Sequence, residues 1–286
     1  VIQASEITAP GATKSLAPEE FEQIRELAYR TFGLDLKPGK EELVSARLGR
    51  LVRGGGFRCF QDYYRHVVAE PTGQALIAMV DALATNHTSF LREPDHFDFL
   101  RKELAPWLSK RESVDIWCAA CSTGEEVWTL AFVLNEALGS GRVHITASDI
   151  SHKALSFAEN AVYPLNRCQN LPGAWLSRYF AAQGHPANAY RVCAPVRAQV
   201  TFRRINLIQP IARRRQFPVI FCRNVMIYFD RQVQQRVVSQ LAGCLEPGGH
   251  LFVGHAESLA RVSHGLEYVR PAVYRKPGKG EEKWSK

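Results

Sequence analysis

Several signatures that would settle a reading early are missing from this chain. There is no G-x-G-x-x-G and no G-x-x-x-x-G-K followed by Ser or Thr, so a nicotinamide cofactor or a nucleoside triphosphate is poorly supported. No apolar run reaches the ~18 residues of a membrane-spanning helix. Val1 to Ser15 lack the basic-then-apolar order of a secretory signal, so residues 1–16 read as a flexible leader and the expected location is cytoplasmic. Nor is the chain poor in apolar residues: 46% of its 286 residues are hydrophobic, enough for one large or two modest domains with a buried core. The seven cysteines are odd in number and scattered, which argues against a disulfide framework. Cys118-Ala-Ala-Cys121 spells C-x-x-C, the pattern of a redox pair or half a zinc site. No second such pair and no paired histidines complete it, so small residues packed at a strand end is the plainer reading, and no metal is expected.

What is present has two textures. Residues 17–84 read as an all-helical domain. Pro18 to Phe32 carries Phe21, Ile24, Leu27 and Ala28 on one face, and Gly33 stops it. Glu41 to Val52 carries Leu43, Ala46, Leu48 and Leu51 among Lys40, Arg47, Arg50 and Arg53, and two shorter helices follow at Phe60 to Val68 and Ala75 to Ala84. From Val114 onward strands and helices alternate. Strands are expected at Val114–Cys118, Val143–Ser148, Val200–Ile205, the continuous apolar run Phe217–Cys222 and His250–Gly254, with edge strands from Glu267 to Arg275. Between them lie a helix from Gly124 to Leu138, one capped by Ser151, and one capped by Asp230 that carries Val233, Val237, Leu241 and Leu245. Glu246-Pro247-Gly248-Gly249 reads as a turn. Such alternation implies a parallel, doubly wound sheet whose ligand binds at the carboxyl ends of the strands.

Those strand ends are distinctive. The first ends in Ala119-Ala120-Cys121-Ser122-Thr123-Gly124-Glu125-Glu126, where small residues permit close approach of a ligand and two glutamates would repel phosphate but complement a cation. Glu125 reads as ordinary helix-start chemistry. Asp149 ends the second strand ~25 residues beyond Gly124, near the ~20-residue offset at which an acidic group meets a ribose diol. Arg223-Asn224 ends the fourth, followed by Tyr228, and a buried Arg223 requires an anion or carbonyl nearby, which a structural Arg–carboxylate pair would also satisfy. This inventory suits a phosphate-free sulfonium cofactor with a ribose. His87, in the polar segment before the sheet, reads as a surface histidine.

The segments TNHTSFLRE (85–93), AACSTGEE (119–126), ASDIS (147–151), FCRNVMIYF (221–229) and EPGGHLFVGHAES (246–258) closely resemble the chemotaxis receptor methyltransferases, the CheR family, in order and spacing from about Phe21 to Arg275. The resemblance implies an α/β class I methyltransferase fold with a Rossmann-like doubly wound sheet, a small N-terminal all-helical domain and a small antiparallel β-subdomain. Its boundaries would be 17–84 for the receptor-binding helical domain, 85–276 for the methyltransferase domain with the β-subdomain at about 163–197, and 277–286 for a flexible tail. It implies S-adenosylmethionine as methyl donor and glutamates on the coiled-coil region of chemotaxis receptors as acceptors. Asn86, Thr88, Arg92, Ala120, Glu126, Asp149, Asn206, Leu207, Arg223 and Asn224 would line the cofactor site, with Arg92 and Tyr228 at the reaction centre. Arg47, Arg50 and Arg53 would meet acidic receptor helices; from charge alone they read as a solvated face.

The net charge of +8 and pI near 9.2 also fit a nucleic-acid methyltransferase, but base-directed enzymes of that kind carry an N-P-P-Y-like run where this chain has Arg223-Asn224-Val225-Met226-Ile227-Tyr228. An inactive cofactor-binding scaffold is the other alternative, and the intact Arg92, Asp149 and Tyr228 speak against it. No nucleic-acid partner, no membrane insertion and a monomer are expected. One departure concerns a glycine-rich tip with which some relatives bind a receptor tail peptide. The corresponding stretch, Ala181 to Ala189, keeps only Gly184, has Ala182 in place of a basic residue and contains Pro186, so tail capture is expected to be weak or absent.

Overall fold

The computed structural model describes residues 15–84, 87–184, 188–212 and 215–278. The expected leader and tail, Asn86, and His185-Pro186-Ala187 of the altered tip therefore lie largely or wholly outside the described residues. The chain divides into two compact units, Val1–Thr85 and Asn86–Lys286.

The first unit holds four helices among its described residues: α1 (Pro18–Phe32), α2 (Glu41–Gly54), α3 (Phe60–Ala69) and α4 (Gln74–Leu83). Helix α1 begins where the Glu20 carboxylate takes the Ala17 amide at 2.8 Å and ends at Gly33 in the left-handed region, φ 73°. Phe21, Ile24 and Ala28 are buried, as their spacing requires. Helix α2 departs from the sequence pattern. Its buried stripe is Val44, Leu48 and Val52, spaced by four, while Leu43 and Ala46 are exposed. Apolar residues alternate closely enough here that two stripes compete, and the one with two β-branched valines is the one that packs.

The second unit is built on a seven-stranded sheet. Its elements in chain order are α5 (Pro94–Phe99), α6 (Ala105–Leu108), β1 (Val114–Ala119), α7 (Glu125–Leu138), β2 (Val143–Asp149), α8 (His152–Asn160), β3 (Val162–Pro164), α9 (Gly173–Tyr179), β4 (Phe180–Gln183), β5 (Ala189–Val192), α10 (Ala194–Arg197), β6 (Val200–Arg204), β7 (Phe217–Cys222), α11 (Arg231–Cys244), β8 (Leu245–Phe252), β9 (Glu267–Arg270) and β10 (Val273–Arg275). The order across the sheet is β6-β2-β1-β7-β8-β10-β9, parallel from β6 to β8 and antiparallel at β10 and β9. All six residues of β7 are buried, as a strand covered on both faces demands. The chain reverses direction across the sheet between β1 and β7, which is where such sheets bind ligands.

A second, antiparallel sheet of order β3-β5-β4 forms the β-subdomain. It explains why α7 is apolar nearly all round. Sequence periodicity assigns Val127, Leu130, Ala131 and Leu134 inward, yet Trp128, Phe132 and Val133 are buried too. Phe132 stacks on Tyr179 with ring centroids 4.5 Å apart and meets Trp175 and Phe180 edge-on, so the second face of α7 is covered by the subdomain and α9.

Two boundaries differ from expectation. Leu245 belongs to β8 rather than to the preceding helix, and β8 ends at Phe252, so Val253 and Gly254 lie beyond it. Glu246 to Gly249 do bulge out of register, between the pairs Phe217–Leu245 and Val219–His250, and Gly248 and Gly249 bond instead to Lys276. Between α5 and α6 the helix widens over Leu100–Leu104; Pro106, which has no amide to donate, accounts for the altered turn.

Candidate functional site

The cleft is assembled at the carboxyl ends of β1, β2, β6 and β7. After β1 the backbone takes left-handed conformations at Ala120, Ser122 and Gly124, with φ of 62°, 49° and 95°. Gly124 is required there: a Cβ would lie 2.8 Å from both Ala158 Cβ and the Tyr163 hydroxyl. Tyr163, on β3, donates to the Thr123 carbonyl at 2.6 Å and accepts from Trp128 Nε1 at 2.8 Å, so the subdomain holds the loop in place. Asp149 ties the neighbouring strand end to it. One carboxylate oxygen takes the Ser122 amide at 2.8 Å and the other the Ser151 amide at 2.9 Å. A carboxylate offers about four acceptor sites, so the same group can order the loop and receive a ribose hydroxyl.

The two glutamates at the start of α7 have different duties. Glu125 is fully buried and paired with Arg167 at 2.8 Å, and it accepts from the Thr123 hydroxyl at 2.7 Å. It is structural, as helix-start chemistry suggested. Glu126 accepts from the Cys118 thiol at 3.2 Å and from Arg223 Nη1 at 2.8 Å. Arg223, 4% exposed, also reaches Glu93 at 2.8 Å and the Arg92 carbonyl at 2.7 Å, and lies 5.5 Å and 5.9 Å from the ring centroids of the stacked pair Phe97 and Phe221. Asn224, at φ 58°, donates its side-chain amide to Glu93 at 3.2 Å. One guanidinium thus fastens three segments: the end of β7, the start of α7 and the Arg92–Glu93 link.

The electrostatics follow from this clamp. Burial pushes the Glu93 carboxyl up, but Arg223 and Asn224 outweigh it and hold Glu93 below the usual carboxylate range. Burial pushes Glu126 up, against the pull of Arg223 and the Cys118 thiol. Burial would lower Arg223, yet its two carboxylates raise it, so it stays cationic. Two carboxylates face the Arg223 guanidinium, and the Arg92 guanidinium lies 4.0 Å from Glu93, so two cations and two carboxylates share the cluster. Cys118 and Cys121 are both buried and their thiols pushed well up, which keeps them protonated and unreactive; the C-x-x-C is packing.

Other expected site residues lie as follows. Arg92 is partly exposed and donates to the His87 carbonyl at 2.8 Å. Thr88 is half-buried. Asn206 and Leu207 follow β6, where the Ile205 amide bonds the Asp149 carbonyl at 3.1 Å; Leu207 is buried and its carbonyl accepts from Gln240 at 3.0 Å. Tyr228 closes a single 3₁₀ turn, Met226–Tyr228, just beyond Asn224. Arg50 and Arg53 are exposed on α2, whereas Arg47 is half-buried and donates to the Leu83 carbonyl at the end of α4.

Two residues were missed from the sequence, although both lie in the motif segments: Glu93 and Glu257. Glu257 is an acid in the short run that follows β8, which was an available signal, whereas Glu93 stands beside Arg92 in a polar stretch just before α5 and carries none. Glu93, His96 and His255 also come within ligand distance of one another. Glu93 is already engaged by Arg223 and Asn224, and an ion there would face the guanidinium, so no metal is assigned. No helix among the described residues is long and apolar enough to cross a membrane.

Comparison with known proteins agrees across both units. Residues 86–274 match the CheR methyltransferase SAM-binding domain, and residues 19–84 match the CheR methyltransferase all-alpha domain. The chain is 40% identical over 262 residues to chemotaxis protein methyltransferase 2 of Pseudomonas aeruginosa, covering 90% of this chain and 92% of that one. It is 33% identical to the chemotaxis protein methyltransferase of Borreliella burgdorferi, covering 92% and 95%, and 35% identical to that of Klebsiella aerogenes, covering 91% and 90%. Asp149, a carboxylate at the end of β2 beside the left-handed loop after β1, suits the ribose of S-adenosylmethionine, which needs an acceptor. The protein belongs to the CheR family of S-adenosylmethionine-dependent methyltransferases.

Proposed function

We infer that this protein transfers a methyl group from S-adenosylmethionine to glutamate carboxylates of chemotaxis receptors, giving glutamate methyl esters. The observation that carries the reading is the buried Glu93–Arg223–Glu126 clamp beside Asp149, in a chain of this family. The bound cofactor supplies a methyl group made electrophilic by its sulfonium. An acceptor glutamate, with a pKa of about 4.3, is already an anion at neutral pH, so no general base is needed. What remains for the protein is alignment, which contributes ~7–11 kcal/mol in well-oriented systems. Asp149 would hold the ribose, Glu126 and Arg223 the charged end of the cleft, and Thr88, Ala120, Asn206, Leu207 and Asn224 the remainder, with Asn86 expected among them. Arg92 and Tyr228 would orient the acceptor carboxylate and the methyl group.

On the receptor side, Arg50 and Arg53 are the exposed basic residues of α2 and suit the acidic faces of a coiled coil. Arg47 would divide its guanidinium between that role and its bond to Leu83. Tail-peptide capture is not part of the proposal, because the described part of the tip keeps one glycine, Gly184, and has Ala182 in place of a basic residue. A cytoplasmic monomer fits this activity. Neither the nucleic-acid reading nor the inactive scaffold is supported by the relatives. The test is incubation with radiolabelled cofactor, receptor cytoplasmic fragments and, in parallel, DNA and RNA. Label should enter the receptor fragment alone, and should fall in Arg92→Ala and Tyr228→Phe enzymes that still melt cooperatively. Label in nucleic acid, or in nothing, defeats the proposal.

A further inference from the structure

Glu257 is a buried carboxylate, 6% exposed, with no part in the transfer outlined above. Its donors are backbone amides. One oxygen accepts Gly254 N at 2.6 Å and Asn224 N at 2.7 Å, and the other accepts Ile227 N at 3.2 Å. Burial pushes the carboxyl up, while these amides and that of Met226 pull against it. Gly254 makes the approach possible: a Cβ there would lie 2.4 Å from Asn224 Nδ2 and 2.8 Å from Glu257 Oε2. The Gly254 amide belongs to the segment after β8, while those of Asn224 and Ile227 lie before and within the turn that ends in Tyr228, so one carboxylate joins the two segments. On its carbonyl side the same turn is held by Gln234 Nε2, which donates to Met226 O at 2.9 Å and Phe229 O at 3.1 Å.

We propose that Glu257 is a positioning residue for methyl transfer: its carboxylate gathers the amides of the Asn224–Tyr228 segment and thereby fixes Tyr228 relative to Asn224. The proposal rests on the reading of Tyr228 as a residue of the reaction centre. An anion capping the first amides of a short turn, joined to the end of the central strand β7, sets where the last residue of that turn stands. Replacing Glu257 by Gln keeps the shape but removes the charge and turns an amide donor toward backbone donors.

The test is a double-mutant cycle on the full chain, measured as receptor methylation at saturating cofactor. Misplacing a reacting group by about 1 Å costs up to about 100-fold, so Glu257→Gln should lower kcat about 10- to 100-fold with little change in the receptor KM. Combining it with Tyr228→Phe should add little to the worse single variant, because both losses pass through the same side chain. Glu257→Asp, which keeps the charge on a shorter arm, should fall between wild type and Glu257→Gln. It takes the place of Glu257→Gln in the cycle if the latter does not fold. Losses that multiply, or a Glu257→Gln enzyme at full speed beside a slow Tyr228→Phe, overturn the proposal. A Tyr228→Phe enzyme as fast as wild type instead overturns the reading of Tyr228 beneath it.

Discussion

Replacing Arg223 by methionine keeps most of the side-chain volume and removes one buried charge. Four hydrogen bonds disappear: one to Glu126, two to Glu93 and one to the Arg92 carbonyl. Both carboxylates have side chains only 13% exposed, so water can replace little of what is lost. Breaking a buried pair from one side costs about 3–5 kcal/mol. In a unit of this size each kcal/mol moves Tm by about 2–4 °C, so a fall of about 6–20 °C is expected at pH 8. The pH dependence has a definite sign. In the wild type Glu93 is held below 4.5 because Arg223 and Asn224 outweigh burial. Without Arg223, burial raises both carboxyls above their unfolded value. A group whose folded pKa exceeds its unfolded one stabilises the fold as it takes up its proton, so the deficit of the variant should shrink as pH falls from 8 toward 5. Calorimetric melts of both proteins across that range, with urea titrations to give free energies, make the comparison. A variant within 1 kcal/mol of wild type at pH 8, or a deficit independent of pH, would refute the clamp as described.

Further outcomes follow from other parts of the molecule. Asp149→Ala should weaken binding of S-adenosylhomocysteine by about 10- to 100-fold in calorimetry, the scale of a charge-assisted hydrogen bond. Arg50→Glu with Arg53→Glu should raise the receptor KM and leave cofactor affinity unchanged, and the wild-type KM should rise with salt as exposed charges are screened. His250 is buried and pushed down to about 4, from 6.5. Its contribution is complete above pH 6.5 and is lost as pH falls toward 4, so His250→Phe should flatten that part of the stability profile by about 1–2 kcal/mol. Chemical denaturation at pH 7 and pH 5 measures it.

How much of this was legible in the sequence depended on how local the cause was. The run Phe217–Cys222 announced a doubly covered strand because burial on both faces leaves no polar position. Ser151 and Asp230 announced helix starts because the cap bonds reach only three residues, to Ala154 and Val233. The place of Asp149 at the end of β2 was legible because the strand pattern stops there, but its bonds to the Ser122 and Ser151 amides were not. What failed was set by distant partners. The buried stripe of α2 could not be chosen from two overlapping apolar patterns. The all-round burial of α7 depended on aromatic residues of α9 and β4 more than 40 positions away. Leu245 continued a helical period and yet pairs with Phe217, because strand pairing outbids periodicity where the sheet needs a neighbour. Glu93 and Arg223 are 130 positions apart, and nothing local to either names the other.

The central claim is that a carboxylate, and not an amine or a hydroxyl, receives the methyl group. The most direct measurement is peptide mapping by mass spectrometry of a receptor fragment methylated by this protein, before and after mild alkali. The account predicts one added methyl on glutamate side chains, released as methanol by alkali and not formed when those glutamates are replaced by alanine. A methyl group that resists alkali, or that maps to lysine, arginine or a nucleic-acid base, would contradict it.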